Sequence, residues 1–256
     1  MTDLPLVIVS GIVGLAVGSF LNVAIIRLPT GESVVAPPSH CSSCGQRLRW
    51  VHNIPLLSWL ALRGRCSYCS ALIGWQYPLV EATTGAIWAA NAAVFGATPR
   101  TAQAIVLLTL LLAIAVTDVR HYIIPDELSL GGTMAGALLA MAPGPPSLPG
   151  AAIGSVVGGG VLWVVAIVGG RVFGREAMGG GDIKLMAMIG AFLGWQGTLL
   201  SIFLGALSGT LVFVPIAIYV RLTNGEEKLV PFGLFLAIGA ALAFYAGDPL
   251  LSWWLG

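Results

Sequence analysis

Charge is what this chain has least of. Only 9% of its 256 residues are Asp, Glu, Lys or Arg, whereas 57% are hydrophobic. A water-soluble domain carries about 25% charged residues. Too few are present here to build a solvated surface, so the chain reads as an integral membrane protein. A basic excess is also missing, since the formal net charge is +1. With nothing to neutralise phosphates, nucleic acid is excluded as a partner. No Gly-x-Ser-x-Gly elbow and no His-Glu-x-x-His motif occurs, which removes two hydrolytic chemistries. The first apolar segment lacks a basic n-region. It opens with Asp3, and its basic residue, Arg27, follows the apolar run. It therefore reads as a permanent first span with its N-terminus outside, not as a cleaved secretory signal.

The apolar runs predict an all-α polytopic bundle of about eight transmembrane helices. They fall near residues 4–27, 78–98, 101–118, 127–142, 148–170, 183–198, 199–220 and 230–246. Several are shorter than the ~20 residues that a spanning helix needs. Only Gly194-Trp195-Gln196-Gly197 separates the sixth from the seventh. With the N-terminus outside, Arg27, Arg47, Arg49, Arg63, Arg65, Arg120, Arg171, Arg175, Lys184, Arg221 and Lys228 all face the cytoplasm, and Arg100 alone lies outside. The positive-inside rule favours that orientation. The expected organisation is a first span over 1–27, a cytoplasmic loop over 28–77 and a helical bundle over 78–256. Small residues four apart, Gly132/Gly136, Gly154/Gly158, Gly190/Gly194 and Gly205/Gly209, predict close helix packing.

All four cysteines fall in the polar loop, as Cys41-x-x-Cys44 and Cys66-x-x-Cys69 with twenty-one residues between the pairs. Each pair directs two thiolates at one metal, and two pairs complete the tetrahedron that Zn²⁺ prefers. A cytoplasmic loop is reduced, which disfavours disulfides. So small a segment has little core of its own, and a structural zinc would compensate. His40 and His52 lie nearby but are not needed, since four sulfurs close the site.

Two acids stand at the edges of apolar segments. Asp118 ends the third span in Thr117-Asp118-Val119-Arg120. Asp182 begins the sixth in Gly179-Gly180-Gly181-Asp182-Ile183-Lys184. Both share an Asp-x-basic pattern. Two close carboxylates cannot both ionise, so they share one proton. The ionised one takes a proton from water and the protonated one hydrogen-bonds a scissile carbonyl. The glycine run gives the backbone freedom closed to other residues and lets a substrate strand approach. The stretch 171–181, with Lys184 beyond it, would present an edge for β-strand addition. The competing readings for either acid are a helix cap in contact with water and a part in an ion pathway. Asp126, after Pro125, reads as a helix cap, and Glu127 as solvated.

At these residues the chain resembles the bifunctional type IV prepilin leader peptidases, which are aspartyl proteases with a Gly-x-Gly-Asp motif. The resemblance runs along nearly the whole length. It is carried by Gly18-Ser19-Phe20-Leu21-Asn22-Val23 with Arg27-Leu28-Pro29, by Asn53-Ile54-Pro55-Leu56-Leu57-Ser58-Trp59-Leu60, by Leu62-Arg63-Gly64-Arg65-Cys66 and by Tyr77-Pro78-Leu79-Val80-Glu81. Further along it is carried by Asp118-Val119-Arg120 with Ile124-Pro125-Asp126, by Gly179-Gly180-Gly181-Asp182 and by Pro231-Phe232-Gly233. Leu234 stands where the family pattern has proline. The resemblance implies Asp118 and Asp182 as a catalytic pair that removes a short basic leader from prepilins and pseudopilins after a glycine. It also implies N-methylation of the new N-terminal residue by S-adenosylmethionine. Glu81 and the loop 28–77 are where that activity is expected, although Glu81 reads equally as an interfacial acid paired with an arginine. A fifty-residue loop is too small for a Rossmann domain, so methyl transfer rests on the resemblance. The implied location is the bacterial inner membrane, with lipid around the helices and the active site at the cytoplasmic face. The competing classes are a peptidase without methyl transfer, a proton- or ion-coupled transporter and a non-catalytic assembly factor. A transporter places its site near the midplane, at broken helices.

Overall fold

The computed structural model describes residues 3–144, 146–174, 178–222 and 231–255. Arg175 and Lys228, which the charge count placed inside, lie outside the described residues. Eight α-helices carry the chain, and no named strand occurs among the described residues. They are α1 (Leu4–Arg27), α2 (Leu57–Ala61), α3 (Gln76–Phe95), α4 (Pro99–His121), α5 (Asp126–Leu139), α6 (Leu148–Phe173), α7 (Gly180–Leu222) and α8 (Phe232–Leu255). The chain divides into two compact units, Met1–Ile105 and Val106–Gly256.

In the first unit α1 packs against α3. Pro5 sits at the start of α1, where its missing N–H costs nothing. At 24 residues α1 is about 36 Å long, enough to cross a ~30 Å apolar core. Small residues let the two backbones touch. A Cβ on Gly18 would meet the Cα of Glu81, and one on Gly14 would meet the Trp88 side chain. Asn22 is buried at this seam. Its Nδ2 donates to the Tyr77 carbonyl at 3.1 Å, and its Oδ1 accepts from Gln76 Nε2 at 3.3 Å. In the loop between α1 and α3 the rings of Trp59 and Trp75 form a tilted pair.

In the second unit α7 is not one straight rod. Gly194, at φ 66° and ψ 177°, breaks it into limbs 180–193 and 195–222. Met186 and Thr198 lie on opposite sides of the break and would be about 18 Å apart along a straight helix. Both nevertheless meet a Cβ placed on Gly158 of α6. The chain therefore folds back at Gly194, at the point where the sequence separates its sixth and seventh segments. Gly154 faces Gly190 and Gly194, and on the other side Gly239 of α8 meets Ser201 and Gly205. Without side chains at these points, backbones come close enough for dense van der Waals packing. The first limb is the core of this unit, with Leu185, Met186, Met188 and Ile189 wholly buried.

Four helices are long and apolar enough to cross a membrane among the described residues: Leu4–Thr30, Pro99–His121, Leu148–Val172 and Gly180–Ala217. The apolar stretch Phe232–Gly247 is shorter, and α5 has 14 residues. The protein is thus a helical membrane protein.

Candidate active site and cysteine loop

The second unit brings three chain segments together. Asp118 lies in the last turn of α4 and is 6% exposed. Its Oδ2 accepts the backbone N–H of Leu234 at 3.2 Å, in the first turn of α8. The first N–H groups of a helix have no partner within it and form an anion site. Here that site is filled by a carboxylate from another helix. Gly233 is needed for the approach, because a Cβ there would lie 2.8 Å from Asp118 Oδ2.

Asp182 is the third residue of α7 and half-buried. The Gly179 N–H is directed at its carboxylate, the reach-back of an acid at the third helical position. Asp182 and Asp118 lie within electrostatic reach of each other. Ile124 packs against the first turns of both α7 and α8. Its Cβ would lie 2.9 Å from a Cβ on Gly181, and its Cδ1 would lie 3.0 Å from one on Gly233.

The glycine run acts differently from the expectation. Gly179, Gly180 and Gly181 are absent from the positive-φ glycines, so backbone freedom is not why they are glycines. Gly181 allows contact with Ile124, whereas a Cβ on Gly180 would meet nothing within 4 Å. The edge expected over 171–181 is helical at both ends, since α6 runs to Phe173 and α7 starts at Gly180, and no strand occurs among its described residues. Of the remainder, 175–177 lie outside the described residues.

Asp126 is not a helix cap. Pro125 holds that position and Asp126 is the first helical residue. Both oxygens of Asp126 accept from Lys184 Nζ at 2.7 Å, and the pair is 40% and 55% exposed. Lys184 thereby ties the start of α5 to the first turn of α7.

In the first unit the two cysteine pairs close into one cluster. The sulfurs of Cys41, Cys44, Cys66 and Cys69 all lie within 4.8 Å of one another, and Cys41 and Cys69 are 3.8 Å apart. Zn–S bonds of ~2.3 Å give a tetrahedron with edges of about 3.8 Å, so the donor set fits zinc. The two knuckles are built alike. Cys41 and Cys66 donate their N–H to the carbonyls of Gln46 and Ala71, and accept from Gly45 and Ser70 through their own carbonyls. Gly45 and Ser70 are both left-handed, at φ 70° and 59°. The N–H groups of Cys44 and Ser43 lower the Cys41 thiol to about 6. The Ala71 N–H also acts to lower Cys69, but burial and the three neighbouring sulfurs outweigh it and push that thiol up to about 12. The histidines turn elsewhere: His40 Nδ1 lies 3.1 Å from the Pro38 carbonyl and His52 Nδ1 3.4 Å from Ser67 Oγ.

Glu81 is 7% exposed. Its Oε2 accepts the Leu56 N–H at 2.8 Å, and the Ser19 hydroxyl also serves its carboxylate. Among the described residues it has no arginine partner, so the expected ion pair does not form. Leu56 is held at φ 60°, a strained setting for a branched residue. Glu81 fastens that turn to α3. Beside it opens a cavity of about 620 Å³ reaching from Asn22 and Glu81 to the first cysteine knuckle. In sequence Ser19, Asn22 and Tyr77 stand only as parts of motifs, and Arg27 also as the charge that follows the first apolar run. Their shared wall appears once α1 and α3 are packed.

Comparison with known proteins decides the family. Residues 105–214 match the type IV leader peptidase family, and residues 12–95 match the bacterial peptidase A24 N-terminal domain. A prepilin leader peptidase/N-methyltransferase of Aeromonas hydrophila is 36% identical over 94% of this chain and 91% of its own length. The chain belongs to the type IV leader peptidase family. A protein of that same name from Pseudomonas aeruginosa is 37% identical over 98% of this chain and 94% of its own. One from Myxococcus xanthus is 44% identical over 78% of this chain, a match that spans 60% of the relative's length. No solved structure matches. The two family segments fall one on each side of the short turn, residues 96–98, between α3 and α4.

Proposed function

We propose that this chain is a bifunctional membrane enzyme. It cleaves the basic leader of prepilins and pseudopilins after glycine, at the cytoplasmic face, and then methylates the new N-terminal amine. What supports the first activity is that Asp118 and Asp182 lie within electrostatic reach of each other, with Ile124 packed against the glycine beside each carboxylate. One proton shared by two carboxylates lets one activate water while the other hydrogen-bonds the peptide carbonyl. No side-chain nucleophile is required. The Leu234 N–H fixes Asp118, and the Gly179 N–H fixes Asp182. Gly180 has open space beside it, which suits an extended substrate backbone passing Gly179–Gly181 near Lys184.

The second activity belongs to the loop 28–77 with α1 and α3. S-adenosylmethionine, when bound, supplies an electrophilic methyl group. The cavity of about 620 Å³ is within the usual range for small ligands, and the polar groups on its wall, Asn22, Arg27, Glu32 and Glu81 among them, suit a charged one. Glu81 would take a proton from the new N-terminal amine of the cleaved substrate, which frees the nitrogen lone pair to accept the methyl group. Cys41, Cys44, Cys66 and Cys69 would hold one structural Zn²⁺ that keeps the cavity wall folded. The fold-back at Gly194 supports eight crossings, with the two limbs of α7 as the sixth and seventh. The basic residues support an outside N-terminus in a bacterial inner membrane.

The test is direct. Membranes holding the wild type, Asp118→Asn or Asp182→Asn are incubated with a prepilin. Cleavage by the wild type and its loss in both variants is the expected result. Cleavage that survives either change removes the hydrolase reading.

A further inference from the structure

Arg27 ends α1 and lines the same cavity as Glu81. It is only 7% exposed. Among the described residues it makes one side-chain hydrogen bond, from Nη1 to the Ser33 carbonyl at 3.0 Å, and no ion pair. A guanidinium has five N–H donors and cannot shed its charge. A charge withdrawn from water without a counter-charge is costly. The carboxylates nearby do not supply one. Glu81 is engaged by Leu56 and Ser19, and Glu32, on the cavity's lining, is exposed. His40 and His52 carry no negative charge. The wall thus presents a planar guanidinium that uses one donor on the Ser33 carbonyl and has no carboxylate partner among the described residues.

We infer that Arg27 binds the carboxylate of the methyl donor's amino-acid end. This rests on the methyl-transfer reading given above. A carboxylate matches the guanidinium fork with two parallel hydrogen bonds. Gly18 lies against Glu81 and Arg27 is nine residues further along α1, about 13.5 Å in a helix. The anion-binding end of the cavity is therefore set apart from the Glu81 end, which leaves length for an extended molecule between them.

The test uses the full-length protein in phosphatidylcholine nanodiscs and reads equilibrium affinity. The probes are S-adenosylhomocysteine and 5′-methylthioadenosine, which share the nucleoside and the sulfur but differ in the amino-acid end. The wild type should prefer S-adenosylhomocysteine by tenfold or more. Arg27→Gln should lose about tenfold to a hundredfold in affinity for it, the size expected for charged hydrogen bonds. Affinity for 5′-methylthioadenosine should stay constant, which reports an intact cavity. Arg27→Lys should fall between, because an ammonium keeps the charge but not the fork. Equal binding of both probes by the wild type would overturn the inference even if every variant misfolds. So would a preference that Arg27→Gln retains, or one abolished by adding anionic phospholipid, which would make Arg27 a headgroup site. If the wild type binds neither probe, the methyl-transfer reading itself falls.

Discussion

Asp118 and Leu234 meet across 116 positions of sequence, carboxylate oxygen to backbone N–H, at 3.2 Å. The contact makes the start of α8 part of the candidate active site, although α8 contributes no acid to it.

Gly233→Ala should therefore slow cleavage although both acids are retained. The new methyl would stand 2.8 Å from Asp118 Oδ2 and 3.0 Å from Ile124 Cδ1. A small misplacement of a reacting group can cost about a hundredfold in rate. The expected pattern is a fall in kcat of at least tenfold with KM near that of the wild type. It is measured on purified enzyme with a prepilin peptide in detergent.

Two adjacent glycines should behave differently. Gly181→Ala places a Cβ against Ile124 at 2.9 Å, whereas Gly180→Ala meets nothing within 4 Å. The first should lose most cleavage and the second should keep most of it. A bulky β-branched residue at position 180 tests substrate passage: Gly180→Val should raise KM, and unchanged kinetics would remove Gly180 from the substrate path.

Asp126→Asn should retain cleavage where Asp118→Asn does not. Asp126 is 55% exposed and its partner Lys184 40%. Exposed ion pairs contribute roughly 0–1 kcal/mol, so the change in thermal unfolding should be small. A loss of cleavage as deep as that of Asp118→Asn would make Asp126 a member of the acid pair.

Much of this fold is written in hydropathy. The apolar runs mark all the long helices, and the break between the sixth and seventh runs falls at Gly194, because apolar length and glycine are local properties. The close approach at Gly132, Gly154 and Gly205 is likewise signalled by small residues four apart. Other features have no local signature. Pro231-Phe232-Gly233 gives no sign of a carboxylate 116 positions upstream, since a helix N-terminus becomes a site only when something anionic is packed against it. Asp126 looks like a cap after Pro125, but its partner Lys184 lies 58 residues away. Arg27 marks the end of a span in sequence, and its lack of a counter-charge emerges only once burial is known.

The cysteine loop offers a stability test. Ser70 repeats the left-handed turn of Gly45 at φ 59°, at a cost of roughly 1–2 kcal/mol for a residue with a side chain. Ser70→Gly should raise the midpoint of loop unfolding, and Gly45→Val should lower it, as followed by protease protection of the loop. Metal analysis should find one zinc per chain in the wild type and less in Cys41→Ser with Cys44→Ser. That double change should harm methylation more than cleavage, whereas equal loss of both would indicate general unfolding.

Ile124 has a consequence for how the enzyme can be tuned. One uncharged side chain packs against Gly181, next to Asp182, and against Gly233, which adjoins the Asp118 carboxylate, so its bulk bears on the spacing of those two contacts. Trimming it to valine or alanine, or lengthening it to methionine, would alter the gap while leaving both acids and their N–H partners unchanged. A graded series of slowed enzymes, each with its proton-sharing pair intact, would then be accessible from a position that takes no part in the chemistry.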